Sequence, residues 1–328
     1  MRYLITGGAG FIGGHLAEKL LEQENCEKVI IIDNLSTGSL DNLKAIENHP
    51  KLQVVIADLT DNDLDLAQYV SEIDCIYHLA AAVGVELVVK EPGHTIYTNV
   101  HGTERILDEA VKFNKRIIVA STSEVYGKSD RAYFSETDDL LIGCPTHSRW
   151  SYACSKLLDE FYALAYYKSH NLAATVVRFF NTVGPRQTGQ YGMVIPRFVE
   201  AALQNKAIRV YGDGSQSRCF CHVFDTVRAL LALADKQESF GQIYNIGSQR
   251  QISILELAKL IIQELDSNSE INLIPYEEAY ESGFEDMMHR APNVSKINKL
   301  INWQAENSLE KIIHDVKESC LKKISKDK

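Results

Sequence analysis

The chain has 328 residues, with 34 Lys and Arg against 44 Asp and Glu for a formal charge of −10, and 45% of its residues are hydrophobic. This composition excludes a disordered tail protein and a small disulfide scaffold, and an acidic chain without clustered Lys and Arg is not built for nucleic acid. At roughly 100–200 residues per domain, the length fits two domains or one large α/β unit with an appendage.

The longest apolar runs, 28–33 and 173–180, fall far short of the roughly 20 residues needed to span a bilayer and read as buried strands, so no membrane partner is expected. The start of the chain enters a glycine turn at once, leaving no room for a signal peptide. Seven cysteines (26, 75, 144, 154, 219, 221, 320) make an odd count without any Cys-x-x-Cys pair. That argues against a zinc site or a disulfide framework and for reduced thiols in the cytoplasm. The end at Lys322, Lys323, Lys326 and Lys328 reads as a solvated tail.

Short β-branched runs alternate with longer helical patterns, the signature of βαβ units around a parallel sheet with helices on both faces. The first strand, 2–6, runs into Gly7, Gly10 and Gly13 and then a helix over 11–23. Glycine suits this turn because a diphosphate must reach backbone N–H groups at a helix N-terminus with no Cβ in the way. The spacing is one residue longer than Gly-x-Gly-x-x-Gly, and a glycine trio alone could be only a tight turn. The second strand, 28–33, adds meaning by ending at Asp33, 20 residues beyond Gly13, where a carboxylate can bond adenosine ribose hydroxyls. Asp33 also argues for NAD over NADP, because it repels a 2′-phosphate and Asn34 supplies no compensating Arg. After the third strand, 52–57, Asp58 either meets an adenine edge or caps the helix from Leu59 onward.

A strand at 75–79 and a helix at 99–113 lead to a strand at 116–121 that ends in Ser121-Thr122-Ser123-Glu124-Val125-Tyr126-Gly127. The next helix, 151–169, carries Tyr152 and Lys156 four residues apart, hence on one face and able to share a cleft. A phenol is a poor base at neutral pH, and lowering its pKa by about three units takes about 4 kcal/mol. A Lys ammonium roughly 4 Å away supplies energy of that order at an effective dielectric near 20.

A strand at 173–180 follows, and after about Asn181 Gly and Pro become frequent: Gly184, Pro185, Gly189, Gly192, Pro196, Gly212 and Gly214. This reads as a smaller region facing the carboxyl ends of the sheet, with helices at 196–204, 225–234 and 254–264. A strand at 243–246 returns to the main sheet. The expected architecture is α/β: a doubly wound parallel-sheet domain over 1–180, with a return segment at about 222–248, and a smaller α/β region over 181–328 that is discontinuous in sequence.

The Gly7–Gly13 loop, Asp33, His78-Leu79-Ala80-Ala81, the segment 122–127, Tyr152 with Lys156, and Arg178-Phe179-Phe180-Asn181 together resemble the extended short-chain dehydrogenase/reductase family, in its nucleotide-sugar epimerase, dehydratase and decarboxylase branch. The resemblance covers nearly the whole chain. It implies a Rossmann domain holding NAD, a smaller domain binding a UDP-sugar, and a homodimer formed through two helices of each subunit, here 99–113 and 151–169. In the second of these, Leu157, Phe161 and Leu164 stand at helical spacing, and sequence does not apportion that stripe between core and interface.

Carried over by position, the resemblance makes Tyr152 the base, Lys156 the holder of the nicotinamide ribose and Thr122 a hydrogen-bond partner of the reacting oxygen, with Ser123 and Glu124 beside them. Gly7, Gly10, Phe11, Ile12, Gly13, Asp33, Asn34, Thr37, Gly38, Asp58, Leu59, Leu79, Ala80 and Ala81 would surround NAD. Asn181, Arg186, Val194, Tyr211, Arg218 and Arg290 would bind the nucleotide sugar, Tyr211 at the uracil and Arg218 at the diphosphate. For both Arg218 and Arg290 a surface ion pair is the plain alternative, more so for Arg290.

The shared first step is hydride transfer from sugar C4. In the 4,6-dehydratases an Asp-Glu pair follows the Thr, whereas here it is Ser123-Glu124, which argues against dehydration. Ser123-Glu124, residues 149–152 and residues 218–220 resemble UDP-glucuronate decarboxylases; residues 80–85 and 180–189 resemble UDP-glucose and UDP-glucuronate 4-epimerases. On these clues 4-epimerisation of UDP-glucuronate or UDP-glucose comes first and decarboxylation of UDP-glucuronate to a UDP-pentose second. A redox-sensing module without turnover is disfavoured, since Tyr152 and Lys156 are both present. His78, His101 and His222 are scattered and read as locally hydrogen-bonded, and the Cys219/Cys221 pairing as chance.

Overall fold

The computed structural model describes residues 1–189, 193–275, 278 and 287–326; Gly192 and Lys328 therefore lie outside the described residues. In chain order the strands are β1 (Arg2–Thr6), β2 (Lys28–Asp33), β3 (Leu52–Ile56), β4 (Cys75–His78), β5 (Arg116–Thr122), β6 (Ala174–Phe179), β7 (Thr182–Val183), β8 (Ile208–Tyr211), β9 (Ser217–Cys219), β10 (Cys221–His222), β11 (Gln242–Ile246), β12 (Gln251–Ser253) and β13 (Ile271–Ile274). The helices are α1 (Phe11–Leu21), α2 (Leu66–Val70), α3 (Val85–Lys90), α4 (Pro92–Lys112), α5 (Trp150–His170), α6 (Val194–Leu203), α7 (Val223–Ala234), α8 (Ile254–Glu264), α9 (Ser295–Ile301) and α10 (Leu309–Lys326).

Among the described residues, seven parallel strands form the main sheet in the order β11-β6-β5-β4-β1-β2-β3. This is a Rossmann-like α/β fold whose strand order reverses between β1 and β4, opening a crevice at their carboxyl ends. Strand β2 shows why both faces are covered: Val29, Ile30, Ile31 and Ile32 are all 0% exposed, Val29 and Ile31 in one apolar cluster, Ile30 and Ile32 in the other. Each such side chain contributes about 1.5–3 kcal/mol on burial. At the outer edge, β3 leaves Val54 and Ile56 exposed.

Beyond Asn181 the described residues build three two-stranded pairings, β7 with β10, β9 with β12 and β8 with β13, around a third apolar cluster of α6, α8 and α10. Strand β11 returns beside β6 as expected. Helix α8 starts in a capping box, in which the Ser253 and Glu256 side chains reciprocally satisfy each other's backbone N–H groups.

Two expectations are corrected. Helix α4 begins at Pro92, seven residues before 99, because proline suits a first helical turn and the Gly-His-Thr stretch after it masks the pattern. Lys322, Lys323 and Lys326 lie in the last turns of α10 and not in a tail, with Lys322 and Lys323 solvent-exposed. Leu309, Ile312, Ile313 and Val316 recur at helical spacing and are buried against α6 and α8, carrying Lys322 and Lys323 to the edge of the central cavity.

Candidate active site

The loop between β1 and α1 has a backbone that only glycine suits. Gly7 has φ +71°, and a Cβ there would stand 2.7 Å from the Ala80 nitrogen; a Cβ at Gly13 would collide with the Gly7 carbonyl. The bare loop opens at the N-terminus of α1, where free N–H groups and the helix dipole favour a diphosphate. At the end of β2, Asp33 is buried and accepts the N–H of Ala9 at 2.9 Å and of Leu35 at 2.8 Å; burial pushes its carboxyl upward and these bonds oppose it. The turn thereby ties the carboxylate to the glycine loop. Asn34 donates to Asp58 at 2.7 Å, and Asp58 also takes the N–H and hydroxyl of Thr60 in a local turn; the helix expected from Leu59 onward is absent, since α2 starts at Leu66 with Asp65 as its cap. These residues fit an adenosine diphosphate.

A cavity of about 1150 Å³ runs from this loop to the region beyond Asn181. Every candidate residue lines it except Gly38, which packs under the Asp33 carboxylate, where an added Cβ would stand 2.9 Å away.

At its centre, Thr122 ends β5 and caps the turn of Ser123 and Glu124, accepting the Glu124 N–H at 3.2 Å. Glu124 meets two arginines from distant parts of the chain: Arg149 at 3.2 Å and Arg290, which makes a short ion pair with it. Burial alone would raise this carboxyl, but Arg290 and Arg149, with Arg218 beyond, bring it down to about 2. Arg290 also donates to Asn181 at 3.1 Å, and Asn181 donates to the Cys219 carbonyl. Arg290 thus makes a largely buried ion pair facing the cavity and not a surface one. Arg149, absent from the expected site residues, was signalled in the sequence by the resemblance of residues 149–152 to UDP-glucuronate decarboxylases.

Tyr152 is half-buried in this cleft. Burial, then the nearby Glu124 carboxylate, raise its phenol well above 10, and a hydrogen bond with Thr122 only partly offsets this. In the protein without cofactor, burial outweighs what Lys156 contributes to the phenol. The Lys156 ammonium is bound to Asp159 at 2.7 Å, both side chains buried, so its charge is locally cancelled. Helix α5 itself is pinned to the sheet by Glu160, which takes Arg178 of β6 through two bonds of 2.8 and 2.7 Å and the Ser121 hydroxyl of β5.

Farther out, Arg218 bonds the carbonyls of Ser217 and Met287, and Tyr211 lies 5.0 Å under the Arg197 guanidinium. Arg186 lines the cavity, but its guanidinium grips Glu18 of α1 at 2.8 and 2.7 Å and the Asn42 carbonyl at 2.8 Å. It clasps the glycine-loop helix to the second region. The three singled-out histidines have local partners: His78 with Thr6 and Thr103, His101 with Glu104, His222 with Asp315.

The model of the family described as GDP-mannose 4,6 dehydratase matches residues 4–316. A UDP-N-acetyl-alpha-D-glucosaminuronate decarboxylase of Bacillus cytotoxicus is 43% identical over 311 residues, 94% of each chain. UDP-glucuronic acid decarboxylase 6 of Arabidopsis thaliana is 34% identical, over 94% of this chain and 85% of the other. Among solved structures, the UDP-glucuronic acid 4-epimerase of Bacillus cereus in complex with UDP-glucuronic acid and NAD superposes with a TM-score of 0.88 at 25% identity, covering 98% of this chain and 99% of that one. The UDP-N-acetylglucosamine 4-epimerase of Methanobrevibacter ruminantium gives 0.88 at 28%, covering 98% of both.

Proposed function

The chain belongs to the GDP-mannose 4,6-dehydratase family of extended short-chain dehydrogenases, and we propose that within it this protein is an NAD-dependent decarboxylase of a UDP-linked uronic acid. The observation that carries the reading is Ser123-Glu124 with Glu124 held between Arg149 and Arg290 beside Tyr152. Among the described residues, two guanidiniums meet this one carboxylate at the cleft wall. A uronate carboxylate complements guanidinium charge and a neutral hexose does not. The relatives weigh the same way, toward the reaction that the residue resemblances alone rank second. The N-acetylated uronate comes first as substrate because the 43% identical relative is named for it.

The cofactor is NAD, held by the Gly7–Gly13 loop at its diphosphate, Asp33 at the adenosine ribose and Lys156 at the nicotinamide ribose. When bound it supplies the hydride acceptor for C4 and returns the hydride at the end. Tyr152 takes the proton of the C4 hydroxyl, and Thr122 keeps the phenol aimed at that oxygen. The resulting 4-ketone is β to the carboxylate. The C5–C6 bond breaks, CO₂ leaves and the electron pair passes to the C4 oxygen as an enolate. Tyr152 and Thr122 hydrogen-bond that oxygen, and C5 then takes up a proton.

4-Epimerisation shares the first step and differs in product. Incubation with UDP-N-acetylglucosaminuronate, UDP-glucuronate and UDP-glucose in turn, read by NMR and mass, separates the two. Loss of the mass of CO₂ from a uronate is expected; an inverted C4 at unchanged mass overturns the decarboxylase reading. Seven free thiols fit a reducing cytoplasm. Exposed Ile96 and Tyr97 on α4 and Leu158 and Phe161 on α5 fit a homodimer through those two helices.

A further inference from the structure

Lys156 and Asp159 lie about one turn apart on α5, with Nζ 2.7 Å from Oδ2 and 3% and 0% of their side chains exposed. Lys156 lines the cavity beside Tyr152, whereas Asp159 does not. Two ions are kept out of water here, an arrangement that is costly unless each answers the other.

The neighbouring charged groups are engaged elsewhere. Glu160, next along α5, is taken by Arg178 of β6 and Ser121 of β5. Glu124, after β5, is taken by Arg149 and Arg290. His78 of β4 is buried between the hydroxyls of Thr6 and Thr103, and burial lowers it to about 3, so it is neutral. Asp159 is therefore the carboxylate committed to Lys156 among the described residues. Burial pushes its carboxyl up, and Lys156 and the Thr103 hydroxyl of α4 oppose that.

We propose that Asp159 is a positioning residue that cancels the Lys156 charge at the nicotinamide end of the cofactor site, so that the cleft admits the oxidised cofactor, with its cationic ring, as well as the reduced one. The proposal rests on the reading of Lys156 as the residue at the nicotinamide ribose. NAD carries a positive ring that is lost on reduction. A bare ammonium in a water-poor cleft repels the oxidised form and leaves the reduced form indifferent. The pair removes that bias, which matters for an enzyme that starts and ends each turnover with the oxidised cofactor.

Titration calorimetry with NAD and with NADH, without any sugar nucleotide, tests this on wild type, Asp159→Asn and the double variant Lys156→Met/Asp159→Asn. Asp159→Asn is expected to lower the ratio of NAD to NADH affinity by about tenfold. The double variant, with neither charge of the pair left, is expected to restore the wild-type ratio although both affinities fall. A side chain with a purely structural role would weaken both cofactors alike, and an unchanged ratio in Asp159→Asn overturns the proposal. So does a lowered ratio that persists in the double variant, since Lys156 would then not be its source. Should Asp159→Asn not fold, Asp159→Ser, which leaves room for water beside the ammonium, carries the same expectation. The decarboxylase reading fails separately, by absence of product with the wild-type ratio intact.

Discussion

Glu124 keeps its charge in a cleft wall because two guanidiniums reach it from positions 149 and 290. Its ordinary value is 4.5 and its folded value about 2, so the stability it contributes is fully present above about pH 4.5 and is lost as pH falls through about 2. Glu124→Gln is expected to cost about 2 kcal/mol at neutral pH, leaving both arginines short of a partner. Thermal unfolding of the two proteins across pH checks this: the gap should narrow below about pH 4. Tyr152 is placed oppositely, with burial and Glu124 keeping it protonated in the free protein. Removing its hydroxyl leaves the cofactor groove intact, so Tyr152→Phe should retain NAD while turnover falls by about 100- to 10 000-fold. Turnover near the wild-type rate would remove Tyr152 from the role of base.

At the scale of elements, the β1–α1 connection is tight because α1 starts against the loop that precedes it. The Gly13 Cα faces the Gly7 carbonyl with no space for a methyl group. Gly13→Ala is expected to cost about 1–3 kcal/mol through overpacking, and to yield protein that purifies without NAD. Thermal unfolding and the absorbance of nucleotide released on denaturation read both effects. Arg186 acts between elements: with φ +70° and its guanidinium on Glu18 and Asn42, it couples the cofactor-loop helix to the chain beyond Asn181.

For the whole molecule, helices α4 and α5 pack against each other and leave Tyr97 53% and Phe161 64% exposed on adjoining surfaces. Such an apolar face suits a second copy of the chain. Phe161→Glu is expected to convert a dimer to monomer, measured by sedimentation or light scattering; an unchanged mass would place the interface elsewhere.

The sheet and the glycine loop were legible in the sequence, because each depends on local periodicity or on spacing within one βαβ unit, and Asp33, Thr122, Tyr152 and Lys156, singled out there by spacing or by resemblance, line one cavity. Strand bounds came within a residue or so of those observed, since strands buried on both faces are continuous apolar runs. The tertiary structure alone decided what the charges do. The partners of Glu124, Arg186 and Arg290 lie 25 to 168 residues away, and such pairings leave no periodic trace. Lys156 is close in sequence to its partner, yet only burial of both turned Asp159 from one more helical carboxylate into its counterion. The stripe on α5 was likewise apportioned by packing: Leu157 lies against the core and Phe161 faces outward, because the sheet covers just one side of the helix. Local pattern sets which elements form; long-range burial sets which charges meet, and with them the chemistry of the cleft.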